Sequence, residues 1–212
     1  MKIMLNSHIR GFSDKLVYKS RFIELIGDPI INSLKWNIVP LKEVCSAIIR
    51  GPFGSTLKKE YFVQESDDTY KVYEQKNAIQ KQDNIGNYYI THDKYRELKR
   101  FECSAGDILM SCSGTVGELY QLPEGCKKGI INQALCKFTL NKKIHPQYFI
   151  EYMTMTIGNL QTQGSGIKNI ASVSYIKELP ILLPPEHIQC EYINNLKQID
   201  KSKFICLYLC YF

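Results

Sequence analysis

Residues 106–140 read GDILMSCSGTVGELYQLPEGCKKGIINQALCKFTL, and this stretch decides the fold. Short apolar runs, rich in β-branched and aromatic residues, alternate here with glycine, proline and asparagine. Such runs are typical of β-strands, and the residues between them are typical of turns. The stretch therefore predicts several short strands joined by hairpins.

The same alternation of short apolar runs with turn residues extends from Trp36 to the proline pair at 184–185. We expect two helices to interrupt it, one at 92–100 and one at 146–158, the second beginning at a proline and ending at a glycine. A polar stretch at 164–173 predicts a loop that leads into a short helix or turn. Similar strand-like runs occupy 38–41, 44–51, 70–75, 87–90 and 178–183.

An amphipathic helix is predicted on each side of this body. Apolar residues recur on one face of 14–26, where Gly27 and Pro29 supply the stop, and on one face of 186–203. Each apolar stripe needs a partner, either the body or another helix of the same or a second chain. The residues expected to pack are Phe22, Ile23, Ile188, Tyr192, Leu196 and Ile199. The fold class is mixed α/β, with a mixed, largely antiparallel sheet flanked by amphipathic helices.

Composition narrows the class of protein. The 212 residues are 44% hydrophobic and carry a formal net charge of +6, which permits a nucleic-acid partner without demonstrating one. No run approaches the roughly 20 apolar residues of a membrane span, and no signal peptide is recognisable, so a cytoplasmic protein is expected. The eight cysteines form no C-x-x-C and lie far from the four histidines, which predicts reduced thiols and no metal site.

Two kinds of enzyme site have no sequence basis. The Pro-Pro at 184–185 lies between leucine and glutamate, so it cannot form the Asn/Asp-Pro-Pro-aromatic loop of an adenine methyltransferase. The glycines at 106, 114 and 117 are in the wrong register for a dinucleotide-binding fingerprint. No cofactor is expected.

A metal-dependent nuclease stays open as an alternative. Glu74 and Lys76 follow an apolar run, as the carboxylate and lysine of such a site would. The second carboxylate would have to come from Asp67 or Asp68, which lie close in sequence and within a predicted turn. A solvated strand edge explains the same residues more simply.

The polar residues suit DNA recognition better. Basic side chains alternate with aromatics and amides, and such groups neutralise phosphates and pair with base edges. Three segments stand out, at 50–59, 71–81 and 164–168. The predicted DNA-binding residues are Arg50, Lys58, Lys59, Lys71, Lys76, Asn77, Lys81, Ser165 and Lys168.

Taken in order, several pieces of the chain resemble the specificity subunit of type I restriction-modification systems. SRFIELIGDP at 20–29, with Trp36 and LKEV after it, resembles the entry from a shared helix into a target-recognition domain. Residues 106–125 and 129–140 resemble the core strands of that domain. GSGIKNIASVSYIKELPILLPPEHIQCEYI at 164–193 resembles its exit into a second shared helix.

The resemblance implies a division into residues 1–35, the end of a spacer helix and a link; 36–183, one target-recognition domain; and 184–212, a truncated spacer helix with an apolar tail. It implies a subunit without catalysis that binds double-stranded DNA and docks a methyltransferase subunit and, through it, the restriction subunit. Full-length members carry two recognition domains and this chain carries one, so two copies would have to pair for a split target. A non-functional remnant is the other alternative.

Overall fold

The computed structural model describes residues 16–162 and 172–210, without the side chains of Ser55, 158–162 and 202–210. In this part of the chain the strands are β1 (Asn37–Pro40), β2 (Cys45–Arg50), β3 (Tyr70–Tyr73), β4 (Tyr89–Ile90), β5 (Glu102–Cys103), β6 (Ile108–Ser111), β7 (Leu119–Gln121), β8 (Gly129–Ile131), β9 (Leu135–Leu140) and β10 (Pro180–Leu183). The α-helices are α1 (16–26), α2 (Gln75–Gln80), α3 (His92–Glu97), α4 (Pro146–Thr162), α5 (Val173–Glu178) and α6 (Glu186–Cys210). Short 3₁₀ helices occupy Leu41–Glu43, Gly54–Thr56, Lys59–Tyr61 and Lys99–Phe101.

The chain divides into two compact units. The helical unit takes the described parts of Met1–Ile38, Lys143–Thr156 and Leu182–Phe212. The sheet unit takes those of Val39–Lys142 and Ile157–Ile181.

The sheet unit contains two four-stranded sheets. One has the order β2-β9-β6-β7 and is antiparallel throughout. The other has the order β4-β3-β8-β5, in which β3 and β8 run parallel and the remaining pairs run antiparallel. A further pair, β1 with β10, forms a two-stranded sheet. The predicted mixed, largely antiparallel architecture is confirmed.

Strand β9 is the centre of the first sheet. It pairs with β2 on one side, where Arg50 lies opposite Cys136, and with β6 on the other, where Met110 lies opposite Cys136. Residues 135–138 are buried on both faces of the sheet, and they form a continuous apolar run apart from one lysine. That lysine, Lys137, lies 3.4 Å from the buried carboxylate of Asp107, which compensates its charge.

An aromatic cluster holds the helical unit together. The ring of Phe22 on α1 stacks on Tyr148 of α4 at 5.8 Å between centroids and meets the edge of Tyr192 on α6 at 5.3 Å. All three side chains are fully buried. Edge-on and stacked rings are favourable beyond their area, so these contacts join the three helices.

The six predicted packing residues behave differently from one another. Phe22, Tyr192 and Leu196 are buried, Ile188 and Ile199 are half-buried, and Ile23 is 42% exposed. The contact between Phe22 and Tyr192 lies within one chain. Pairing between chains stays a prediction.

Three details differ from the sequence-based expectation. Helix α2 was not predicted, since 70–75 was taken as one strand; the chain instead turns at Glu74. Helix α4 continues through Gly158 to Thr162, because a glycine inside a helix costs only about 1 kcal/mol. Helix α6 does not stop near residue 203 but runs for 25 residues to Cys210, a stretch without glycine or proline.

Among the described cysteines, four follow the prediction of buried thiols, whereas Cys126 is half-buried and Cys190 is exposed. Cys45, Cys103, Cys112 and Cys136 are buried and free, and burial raises the pKa of the Cys45 thiol to about 12. Among the helices that the structure describes, none combines the length and apolar character needed to cross a membrane.

The aromatic cluster yields a stability prediction. We expect Phe22→Ala to lower the free energy of unfolding by about 3–5 kcal/mol, because it removes a fully buried ring and leaves a cavity. The matched control is Ile23→Ala on the neighbouring, exposed position, with an expected loss below about 1 kcal/mol. Urea unfolding followed by circular dichroism measures both, and equal losses would contradict the assigned packing.

Candidate nucleic-acid interface

Segments from distant parts of the chain meet at one end of the first sheet. They are residues 51–56 after β2, 112–118 between β6 and β7, 132–134 between β8 and β9, and Gln75 at the start of α2. We call them the loop cluster. Two of its segments are more than 75 residues apart in sequence, so tertiary structure alone brings them together.

The first contact in the loop cluster is a close backbone approach. A Cβ atom on Gly51 would lie 1.9 Å from the carbonyl oxygen of Asn132, so only glycine fits. The Gly51 amide donates to the Leu135 carbonyl at 3.0 Å. These contacts fix the 51–56 segment against the start of β9.

The β6–β7 hairpin joins the same place. The Cys112 amide donates to the Ala134 carbonyl at 2.8 Å, and a Cβ on Gly114 would lie 3.3 Å from the side-chain nitrogen of Gln75. Ser111 closes the hairpin, since its hydroxyl accepts the Glu118 amide at 2.9 Å. The loop cluster is thus a connected surface and not a set of independent loops.

The outer side of the loop cluster presents groups suited to contact with bases. Phe53 is 58% exposed, Thr115 and Gln133 are exposed, and Gln75 is half-buried. Within the described residues, the side-chain amides of Gln75 and Gln133 have no hydrogen-bond partner. None of these four is among the nine predicted DNA-binding residues, although Phe53 and Gln75 lie within the predicted segments 50–59 and 71–81. The sequence signal for Phe53 and Thr115 is a turn flanked by glycines, and Gln133 carries no such signal.

A second surface combines lysines with aromatic rings. Phe62 stacks on Tyr88 at 4.3 Å, and the Lys76 ammonium lies 5.7 Å from the Tyr88 ring centroid. The Lys94 ammonium lies 4.0 Å from the Tyr61 centroid. Cation–π contacts of this kind hold lysine heads in place beside the rings. We call these five residues the lysine–aromatic face.

Three predicted DNA-binding residues lie in the interior, which corrects their assignment as surface contacts. Arg50 is 5% exposed, Lys71 2% and Asn77 fully buried. The Lys71 ammonium donates to the Gly86 carbonyl at 3.1 Å and lies 5.2 Å from the Tyr89 ring centroid, and burial lowers the pKa of Lys71. Such groups hold the fold and cannot reach DNA without rearrangement.

Asn77 organises the loop that follows α2. Its side-chain oxygen accepts the Glu74 amide at 2.8 Å, and its side-chain nitrogen donates to the carbonyls of Gln82 at 2.9 Å and Ile85 at 3.0 Å. A buried amide that meets three backbone groups is satisfied and structural.

The remaining predicted residues are divided by exposure and pairing. Lys58, Lys76 and Lys81 are at the surface but form ion pairs, with Glu60 at 3.6 Å, Glu74 at 2.7 Å and Glu118 at 2.7 Å. Lys59 is exposed and has no ion pair within the part of the chain that the structure covers. Ser165 and Lys168 lie outside the described residues.

The carboxylates of the nuclease alternative do not form a metal site in this structure. Glu74 pairs with Lys76 beside α2, while Asp67 and Asp68 are exposed in the turn before β3. Across residues 16–162 and 172–201, no group of three or more His, Cys, Asp or Glu side chains is placed to hold a metal ion.

Comparison with known proteins gives a family and a set of folds. A family model described as "Type I restriction modification DNA specificity domain" matches residues 33–205. No curated protein matches the chain.

Solved structures similar to the chain include three related chains. The HsdS subunit from Thermoanaerobacter tengcongensis has 17% identity and a TM-score of 0.66, over 95% of this chain and 47% of that chain. A chain from a structure titled as the basis of complex assembly and conformational transition of the type I R-M system has 16% identity and a TM-score of 0.60, over 95% and 49%. The type I restriction-modification S subunit from M. genitalium has 11% identity and a TM-score of 0.56, over 89% and 48%. At these identities the likeness is one of fold, and the chain spans about half the length of each relative.

The structural assignment of Asn77 can be tested. We expect Asn77→Ala to lower the free energy of unfolding by about 2–3 kcal/mol, because it leaves backbone groups without partners. Gln80→Ala, at an exposed position of the same helix, is the control and should change stability by less than about 0.5 kcal/mol. Urea unfolding together with amide exchange at residues 82–86 measures the effect. An unchanged urea midpoint would contradict the structural role of Asn77.

Proposed function

Because the chain belongs to the family of type I restriction-modification DNA specificity domains, we propose that it recognises one half of a split DNA target. The observation that carries the proposal is the loop cluster, in which exposed amide, hydroxyl and aromatic groups from distant segments form one surface. Amides and hydroxyls are the groups that read base edges in the major groove. Residues 36–183 would be the recognition domain, flanked by spacer segments at 1–35 and 184–212.

Phosphate contact is assigned to a different set of residues. Lys76 of the lysine–aromatic face, together with Lys59, would neutralise backbone phosphates. Lys94 is not assigned this role, because its side chain is only 16% exposed and pairs with Glu97 at 2.6 Å. The Lys76 side chain is 42% exposed and can reach a phosphate, while its ion-pair partner Glu74, at 2.7 Å, is 18% exposed.

The proposed role is recognition without catalysis. In this role the chain would direct a methyltransferase subunit and, through it, the restriction subunit to the bound site. The helical unit would supply the docking surface, since Ile23 on α1 and Ile30 and Ile31 in the turn that follows α1 are exposed apolar residues. The protein would act in the cytoplasm, where its DNA target lies.

Pairing of two copies belongs to the same proposal. Each solved relative is about twice as long as the stretch that this chain matches. Two copies would therefore supply two recognition domains, and by symmetry they would read a target with two identical half-sites.

The direct test uses the full chain with its partner. The chain and the methyltransferase subunit are expressed together and mixed with a random duplex library, and retained sequences and methylated positions are read. We expect enrichment of one short sequence in two copies related by symmetry. Absence of any selected sequence, with and without the methyltransferase, would overturn the proposal in favour of a non-functional remnant.

A separate experiment tests the nuclease alternative. The purified chain is incubated with plasmid DNA and Mg²⁺, alongside Glu74→Ala. We expect no cleavage by either protein. Cleavage that Glu74→Ala abolishes would overturn the assignment of a non-catalytic role.

Phosphate contact predicts a change in salt dependence. Lys59→Ala and Lys76→Ala should each reduce the slope of log K against log [salt] by about 1 and weaken binding to all sequences alike. The matched control is Lys142→Ala, an exposed lysine beyond the end of β9 that lies away from the loop cluster. Equal slopes in all three variants would show that the phosphates are contacted elsewhere.

A further inference from the structure

Arg50 is anchored where the segments of the loop cluster meet. It ends β2, lies opposite Cys136 and is 5% exposed. Its Nε donates to the Gln133 carbonyl at 3.1 Å, and its guanidinium carbon lies 5.5 Å from the Phe53 ring centroid. The Cys136 thiol and the Arg50 guanidinium lower the pKa of the Cys112 thiol, which begins the 112–118 segment of the loop cluster.

The two groups that Arg50 contacts are held rigidly by other means as well. Gly51 lies against the Asn132 carbonyl, and Pro52 fixes its own φ angle, so the backbone that carries Phe53 has little freedom. Around Gln133, the Asn132 side chain accepts the Ala134 amide at 3.0 Å. Both side chains therefore project from fixed backbone.

The exposed parts of these residues have no structural task in the described chain. The ring of Phe53 is 58% exposed, and the Gln133 amide has no partner among the described residues. Because the backbone at Gln133 is already fixed, little backbone entropy is lost when a ligand binds its unpaired side-chain amide. The donor and acceptor of a glutamine amide match the N6 and N7 edge of adenine.

We infer that Arg50 is a positioning residue that holds Phe53 and Gln133 as the base-reading pair of the loop cluster, with Gln133 reading an adenine in the half-site. This inference rests on the proposed function. The charge of Arg50 is enclosed, so it does not neutralise phosphate. Its guanidinium fork aligns the Gln133 backbone and the Phe53 ring, a geometry that lysine cannot reproduce.

The test measures preference separately from affinity. The full chain with its methyltransferase is bound to its selected target and to every single-base substitution of that target, at several salt concentrations. Gln133→Ala should reduce discrimination at one A·T pair by about tenfold or more and leave the other positions and the salt slope unchanged. Lys142→Ala is the control and should leave all preferences unchanged.

Arg50→Lys tests the positioning role. We expect it to lose discrimination at the same A·T pair as Gln133→Ala, with an unchanged salt slope. The double variant should lose little more than either single variant, because both changes remove one interaction. A purely structural role would instead lower binding to all sequences, and the losses would add.

The outcomes separate the inference from the proposed function. If the wild-type chain selects a sequence and Gln133→Ala keeps every preference, the inference is overturned while DNA recognition stands. Because Gln133 is exposed, that result does not depend on whether Arg50→Lys folds. If the wild-type chain selects no sequence, both are overturned.

Discussion

The pairing of β9 with β2 and β6 is the constraint on which the sheet unit depends. A strand bonded on both edges cannot shift without breaking two ladders, so its first residue is fixed in space. The segment before it, 132–134, is fixed as a result, and the loops that follow β2 and β6 are brought beside it. The end of one buried strand thus determines where the surface loops meet.

Burial, more than charge, decides which basic residues can meet DNA. Lys71 and Lys59 are both lysines in basic stretches of sequence, yet one is enclosed between tyrosine rings and the other is exposed. An enclosed lysine needs partners inside the protein, and Lys71 finds them in a carbonyl and two rings. Clustered basic residues in the sequence therefore mark a candidate binding region, while the fold decides which of them are exposed and which are buried.

The helical unit depends on a different interaction. Phe22, Tyr148 and Tyr192 come from three helices that are far apart in sequence, and each ring packs against the other two. The isoleucines at positions 23, 30 and 31 of the same unit are exposed. Under the proposed function, recognition and docking would fall to separate units of the chain.

The sequence by itself determined the fold class, the strand-rich body, the amphipathic helices and the family, because apolar periodicity and turn residues are local properties. The sequence could not determine the helix at Gln75–Gln80 or the burial of Arg50 and Asn77. A polar side chain in a turn has the same local sequence pattern whether it faces solvent or binds a backbone group that is distant in sequence. Only the tertiary structure decided that Phe53 and Gln133, 80 residues apart, share one surface, since antiparallel pairing places the end of β2 beside the start of β9.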